Sequence, residues 1–392
     1  MHISRSLHHL KFATTAMAVM ALAFAVVGVN LSAVTVYAKS TLLVPSQFPT
    51  IQSAVDSARP GDRIHILPGT YTEQVTISQD VELTGSGVDS TFIKAPATLT
   101  TGSFGRTAIV EIHGGASATM SRLTVTGPGL GSCASGTLFS GIQVWEGATL
   151  KLSFATVAHI HDSPIAECFP SGSAIRIGDR RSGSTGHATI EDVVISDYQF
   201  AGITVFSPGS TATISNNTIT GVGTEAEVVN SGIDLGKGAV ATVIHNTVSR
   251  NLCNSVALGC GPDYLTQTQA GGIGTDSSPG SSPGAGTVIS DNDVSDNDIG
   301  ISLVGTSSGC CTVSHNELRN NRFYGLTFQD GNYASSHNEI SGGNVGVAVI
   351  AISANALVTL RHDDIEATSV APIQELSCCG FTAQAIVQHP SH

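Results

Sequence analysis

The sequence predicts an all-β fold, a single-domain right-handed parallel β-helix of three sheets with a short N-terminal capping helix. The main observation is that two short phrases recur through most of the chain. Within them apolar residues alternate with a period of two, which is typical of strands and not of helices. Composition agrees, because only 12% of the residues are charged and 43 are glycine, as expected for many short strands joined by turns.

The first phrase is a small residue followed by an apolar residue, a variable residue and a second apolar residue. Its copies are GIQV at 141–144, AIRI at 174–177, GITV at 202–205, GIDL at 232–235, GISL at 300–303, GLTF at 325–328 and GVAV at 346–349, with a weaker GIGT at 272–275. We expect the apolar residues to face a core and the variable residues to face outward.

The second phrase, T-[IV]-x-x-N-x-[IV], appears once per unit. Its central position is held by Asn217, Asn246, Asn292, Asn316, Asn338 and Asp363. The last four follow one another at nearly even intervals, each long enough for one coil of three short strands and three corners. Equivalent strands then stack in parallel about 4.8 Å apart. We expect each Asn to occupy the bend, where it tolerates left-handed dihedrals, and to hydrogen-bond along the column.

The N-terminal part of the repeat region predicts a cap. The segment TIQSAVDSA at 50–58 predicts an amphipathic helix with Thr50 as its N-cap, followed by strands at 75–77 and 81–83. A solenoid needs such a helix over its open end. The predicted organisation is a cap at 39–70, coils at 71–366, and a C-terminal cap or tail at 367–392.

The segment 1–38 predicts a signal peptide and an extracellular or cell-surface location. Arg5 and Lys11 precede an uncharged apolar stretch, which ends in small residues at Val36 and Ala38 that suit signal peptidase. The alternative is an uncleaved anchor, because the apolar stretch is long enough to span a bilayer. The net charge of −13 argues against nucleic acid and anionic membranes as partners, and we expect a monomer.

Eight cysteines in an exported chain predict disulfides. Cys133 and Cys168 occupy comparable positions before neighbouring copies of the first phrase, so we expect them to pair. Cys253 and Cys260 are expected to close one loop. For the adjacent cysteines at 310–311 and 378–379 the partners remain open, because neighbouring cysteines seldom bond to each other without strain.

The run TIQSAVDSARPGDRIHILPGTYTEQVTI, together with the two phrases, resembles the pectin-lyase-like superfamily over about residues 43 to 365. The resemblance implies a β-helix and a role with polysaccharides, but the catalytic motifs of pectinesterases, polygalacturonases and alginate epimerases are missing. The sequence therefore favours a secreted protein that binds, or binds and cleaves as a lyase or hydrolase, an acidic polysaccharide. The alternative is a non-catalytic adhesion, surface or structural solenoid.

The candidate site lies on the outward positions of the first-phrase strands, beside long loops at 127–139, 158–172 and 249–271. An outward aromatic residue can stack on a sugar, and Arg can bind a uronate carboxylate. The predicted substrate-binding residues are Trp145, Glu146, Asp179, Arg180 and Phe206. The resemblance implies Arg176 or Lys237 as a lyase base and Asp234 as a ligand of Ca²⁺. The alternative is that all of these are ordinary solvated residues.

Two histidine patterns are further candidates. A column precedes the Asn positions and consists of Asn216, His245, Asp291, His315, His337 and His362. It predicts either a transition-metal site or a row of surface turns. His159 and His161, followed by Asp162, form a dyad on one face of a strand, which predicts a metal or acid–base site or else a polar strand edge.

Overall fold

The computed structural model describes residues 39–130, 137–163, 165, 171–224, 228–255, 257–275, 282–305 and 310–388. The predicted signal peptide and the Cys133–Cys168 pair lie outside these residues. Helix α1, Ile51–Ser57, and a 3₁₀ turn at Ser103–Gly105 are the helical elements of the described chain. None of the helices in this part of the chain is long and apolar enough to span a membrane.

The first-phrase strands form sheet 1, in which all eleven strands are parallel and each pairs with the equivalent strand of the next coil. Its strands are Val75–Ile77, Ala108–Ile112, Ser140–Val144, Ser173–Ile177, Ala201–Phe206, Ser231–Gly236, Gly271–Thr275, Ile299–Val304, Tyr324–Gln329, Val345–Ala351 and Ala371–Ser377. Sheet 1 confirms the predicted repeat, including the weak copy at 272–275.

The other strands form sheets 2 and 3, which share the long strands Ala148–Ile160 and Gly186–Tyr198 and so form one 22-stranded parallel sheet. The remaining strands of sheet 2 are Thr41–Val44, Asp62–Ile66, Val81–Gly85, Ser117–Ser121, Thr211–Ser215, Val240–Ile244, Thr287–Ser290, Cys311–Ser314, Gly331–Ser336, Ala356–Arg361 and Ala383–Gln388. Those of sheet 3 are Gly69–Thr72, Thr91–Lys94, Thr124–Thr126, Thr218–Thr220, Thr247–Ser249, Asp293–Ser295, Glu317–Arg319, Glu339–Ser341 and Asp364–Glu366. A separate parallel pair joins Gly129–Leu130 to Asp162–Ser163.

This arrangement is the predicted three-sheet parallel β-helix. The segment 367–392, predicted as a cap or tail, contributes the last strand of sheet 1 and the last strand of sheet 2. Apolar residues of all three sheets point inward and form one continuous core, in which Ile175, Ile203 and Ile233 are fully buried. The small first residue of the phrase is required by the narrow corner, because a Cβ at Gly202 would lie 2.7 Å from Ile219 Cγ2.

The predicted asparagine ladder is present inside the corner between sheets 2 and 3. The side-chain amide of Asn246 donates to Asn292 Oδ1 at 3.0 Å, and that of Asn292 donates to Asn316 Oδ1 at 2.9 Å. The left-handed residue is the one before each ladder position, for example His315 with φ 56°, so the prediction that the Asn itself takes this conformation was wrong. A second ladder, Asn251 to Asn297 to Asn321, lies at the corner that follows the sheet 3 strands and was not predicted.

Helix α1 begins as predicted, with Thr50 as its N-cap in a reciprocal capping box with Ser53. The backbone N–H groups of Ile51 and Gln52 also donate to the Glu73 carboxylate at 2.9 Å. The apolar side of the helix is buried against the first coil. Cys253 bonds to Cys260, as predicted, and the adjacent cysteines bond to each other at 310–311 and at 378–379.

Candidate functional site

The variable residues of sheet 1 form a straight column on its outer face. Strand register places Glu111, Gln143, Arg176, Thr204 and Asp234 side by side in five successive coils. Arg176 and Asp234 are therefore two coils apart, which is about 10 Å along the axis. The column continues through Gly274 and Ser302 in the next two coils.

The N-terminal part of this face is buried, although the sequence predicts solvated residues there. The Trp145 side chain is 1% exposed and those of Arg176 and Phe206 are fully buried. Two aromatic residues outside the repeat lie against them. The ring centroids of Phe104 and Trp145 are 4.9 Å apart, and the Phe139 centroid lies 4.4 Å from the guanidinium carbon of Arg176. The expectation that these side chains are exposed was wrong because residues between the coils cover them.

Trp145 is held by a hydrogen bond to a buried carboxylate. Its Nε1 donates to Glu111 Oε1 at 2.9 Å, and the same oxygen accepts the backbone N–H of Ser103 at 3.0 Å. The contact between Phe104 and the indole is edge-on, at an interplanar angle of 79°. The indole is thus part of a packed layer on the outer face of sheet 1.

Arg176 is enclosed by aromatic rings and charged neighbours. Its guanidinium carbon lies 5.8 Å from the Phe206 centroid in addition to its contact with Phe139, and Nη2 donates to Ser173 Oγ at 3.3 Å. Burial lowers the pKa of Arg176 to about 10, while the negative charge of Asp179 acts in the opposite direction. A lowered pKa brings the group closer to base chemistry, but the enclosed guanidinium does not contact solvent.

Of the other predicted residues, Asp179 and Arg180 lie close to Arg176 and Phe206. Asp179 is buried and accepts hydrogen bonds from Arg181 N and Ser182 Oγ, so it stabilises its own turn. The remaining three are a half-buried Arg180 near Phe206, an exposed Glu146 paired with His113 at 3.2 Å, and a half-buried Lys237 with φ 53°.

A groove with a volume of about 730 Å³ opens on the same face, two coils beyond Arg176. Asp234, Gly274 and Ser302 of the column line it, together with Gln329 and with Tyr264 from the loop after Cys260. Of these residues, only Asp234 was singled out from the sequence. Ser302 could have been found as the variable residue of its phrase, whereas the loop residue Tyr264 has no periodic signal.

A buried carboxylate, Asp298, is one of the groups that attach the wall of the groove to the coils. Asp298 Oδ2 accepts the backbone N–H of Cys253 at 2.8 Å and that of Ala270 at 3.0 Å, so it holds both ends of the loop. Arg322 lies 2.6 Å from the other carboxylate oxygen. In the middle of this loop, the Tyr264 hydroxyl donates a hydrogen bond to Gln329 Oε1 at 3.2 Å.

We expect Asp298→Asn to loosen this loop, because an amide N–H would then face either two backbone donors or the Arg322 guanidinium. Amide hydrogen exchange across 253–270 should increase by at least about tenfold, which corresponds to about 1.4 kcal/mol. The control is Asp296→Asn, which changes an exposed carboxylate two residues away. Equal protection in both variants would show that Asp298 does not hold the loop.

In the structure, the two histidine patterns have different neighbours. In the column, the exposed His315 and His337 rings stack at 4.9 Å, and His362 Nδ1 lies 3.0 Å from His337 Nε2. All three residues have φ of 56–57°, as expected for a row of left-handed turns. The dyad of His159 and His161, by contrast, meets a carboxylate from the next coil.

Residues 140–365 match the family model of the right handed beta helix region. No curated protein matches the sequence significantly. Solved structures with a similar fold include the catalytic domain of a GH87 α-1,3-glucanase in complex with tetrasaccharides, at a TM-score of 0.57 and 12% identity over 86% of this chain. This chain spans 66% of that domain.

Two further structures are a periplasmic alginate epimerase, AlgG, and the Dettilon tailspike protein. The epimerase has a TM-score of 0.52 and 12% identity over 90% of this chain and 85% of that one. The tailspike has a TM-score of 0.50 and 13% identity over 85% of this chain and 68% of that one. At such identities the likeness establishes the fold alone.

Proposed function

Because the chain belongs to the right-handed β-helix family, we propose that it is an exported protein that binds an extended polysaccharide in the groove on the outer face of sheet 1. The observation that carries the proposal is the groove itself, which follows the coil axis and is lined by hydroxyl, amide and aromatic side chains above Asp234. A long cleft of this kind suits a chain of sugars, and such side chains hydrogen-bond sugar hydroxyls. The relatives that act on α-1,3-glucan and alginate support the same ligand class.

We propose binding alone, because the Arg176 guanidinium is enclosed and does not reach the groove, where a catalytic base would have to contact the substrate. Among the described residues that line the groove, Asp234 is the only charged one. An acidic polymer would therefore need a bridging cation at Asp234, for which Ca²⁺ is suited as an oxygen-binding ion. A neutral polymer would use the hydroxyl and amide groups directly.

The test is a binding screen of the purified protein against α-1,3-glucan, polygalacturonate and alginate, each with and without Ca²⁺. A blocking variant is available at Gly271 in the groove, where an added Cβ would meet no atom within 4 Å. We expect Gly271→Trp to abolish binding without unfolding, and Asp234→Asn to weaken it at least about tenfold, the loss of one charge-assisted hydrogen bond.

The matched controls are at exposed positions outside the groove. Asn332→Trp also introduces a Trp, and Asp364→Asn also removes one carboxylate charge. Both should bind like the unchanged protein. If none of the three polymers binds with or without Ca²⁺, the proposed polysaccharide binding is contradicted. If a polymer binds and Gly271→Trp retains full affinity, the binding surface lies elsewhere.

A further inference from the structure

Three side chains from two neighbouring coils converge at one point outside the groove. His159 lies on strand Ala148–Ile160, His161 follows that strand, and Asp197 lies on Gly186–Tyr198. Strand register pairs Ala158 with Ser196 and Ile160 with Tyr198, which sets His159 directly opposite Asp197. The left-handed backbone at His159 and at Asp197 turns both side chains outward at the same bend.

The three groups present their ligand atoms to one another. Asp197 Oδ2 lies 2.5 Å from His159 Nδ1 and 3.2 Å from His161 Nε2. One atom from each residue, two imidazole nitrogens and one carboxylate oxygen, falls within 4.8 Å of the other two. No other set of three or more His, Cys, Asp or Glu residues in the described chain meets this geometry.

The tautomer of His161 is fixed by the backbone. Its Nδ1 lies 2.6 Å from the carbonyl oxygen of Asp162 and donates its proton there, so Nε2 is the nitrogen that faces Asp197. A histidine that binds a metal through one nitrogen usually donates its other N–H to a carbonyl or carboxylate in this manner. Without a metal ion, a proton on Nε2 bridges the two atoms as a hydrogen bond to Asp197, and a bound metal ion would take the place of that proton.

Space for further ligands is present beside the cluster. His161 and Asp197 line a cavity of about 590 Å³, whose other lining residues include Ser196, Thr220 and Arg250. A metal ion held by three protein atoms at its edge would keep open coordination positions toward this cavity. Such a site has the composition of catalytic zinc centres, which use three protein ligands and one exchangeable position.

We propose that His159 Nδ1, His161 Nε2 and Asp197 Oδ2 bind one divalent transition-metal ion, best matched by Zn²⁺, with its open position facing the cavity. Imidazole and carboxylate ligands together suit zinc and exclude a purely oxygen-binding ion such as Ca²⁺. Tetrahedral zinc bonds of about 2.0–2.1 Å place neighbouring ligand atoms about 3.3 Å apart. The distances from Asp197 Oδ2 to the two histidine nitrogens, 2.5 and 3.2 Å, are within about 1 Å of this value. The His159 side chain is 56% exposed, so it can move to the distance that zinc requires.

The experiment is calorimetric titration of the untagged, chelator-treated protein with Zn²⁺, repeated with Co²⁺ for its visible spectrum. We expect one zinc per chain and the intense absorption of tetrahedral or five-coordinate cobalt. His161→Ala removes a ligand and Asp197→Asn keeps the size of the third side chain but weakens its donor. Each should lower zinc affinity at least about a hundredfold, and the rise in Tm caused by zinc should disappear.

The matched control is His337→Ala, because the imidazole nitrogens of His337 and His362 also lie close together, at 3.0 Å. This variant should bind zinc like the unchanged protein. Circular dichroism of Asp197→Asn establishes that its β-helix is retained. The proposal is overturned if the protein binds no zinc at micromolar concentration, or if His337→Ala loses the zinc while Asp197→Asn keeps it.

Discussion

Replacing Trp145 with Ala should lower the free energy of unfolding by about 3–5 kcal/mol, the usual loss when a buried Trp is truncated. The indole is 1% exposed and contacts Phe104, so its removal leaves a cavity under the layer that covers sheet 1. The change also removes the Nε1 donor of the buried Glu111 carboxylate. Denaturant unfolding followed by far-UV circular dichroism measures the loss.

Two further variants separate the contributions. Trp145→Phe keeps most of the aromatic volume but removes the donor to Glu111, and it should lose about 1–3 kcal/mol. Phe154→Ala truncates an aromatic side chain that is 62% exposed, and it should lose less than about 1 kcal/mol. If Trp145→Ala unfolds at the same denaturant concentration as Phe154→Ala, the outer layer of sheet 1 does not stabilise the fold.

The repeat made the fold and much of its register predictable. Each coil stacks on an equivalent copy of itself, so the spacing between Asn292, Asn316 and Asn338 directly identifies paired positions. The same logic places Ile175 beside Ile203 in the core and Arg176 two coils from Asp234. In a solenoid the long-range contacts therefore follow from local sequence periodicity, which is not true of most folds.

What the sequence did not reveal depends on residues between the copies. Phe104 and Phe139 lie outside the repeat, and no period indicates that they cover Trp145 and Arg176. Exposure at a variable position was therefore overestimated. The groove has the same origin, because Tyr264 reaches it from a loop whose path depends on Cys260 and neighbouring anchors.

The partner of the histidine dyad was missed for a different reason. His159 and Asp197 are 38 residues apart, and an inserted loop separates their coils. The nearly even interval that identifies pairs further along the chain does not apply there. Register through the long strands Ala148–Ile160 and Gly186–Tyr198 supplies the pairing, and neither strand carries an obvious Asn marker at this corner.

Replacing Asn292 with Ala should destabilise the protein by several kcal/mol, because this side chain is the middle of a buried hydrogen-bonded column. Its Oδ1 accepts both the backbone N–H and the side-chain amide of Asn246, each at 3.0 Å. Its Nδ2 donates to Val243 O at 2.9 Å and to Asn316 Oδ1. Truncation leaves at least two buried polar groups without partners, and each costs about 1–3 kcal/mol.

The ladder has a direction, which gives a sharper test of the same contacts. Each side-chain amide donates to the next residue along the axis. The last residue is Asp363, which accepts from Asn338 Nδ2 at 2.7 Å and does not have to donate to a further ladder residue. Asn292→Asp should thus be as damaging as Asn292→Ala, because a carboxylate cannot donate to Asn316. Asp363→Asn loses only the bond that Oδ2 accepts from the exposed Arg361 N–H and should cost less than about 1 kcal/mol. Asn332→Ala, at an exposed strand position, controls for loss of an amide. Denaturant midpoints would contradict the ladder's role if Asn292→Asp and Asp363→Asn were equally stable.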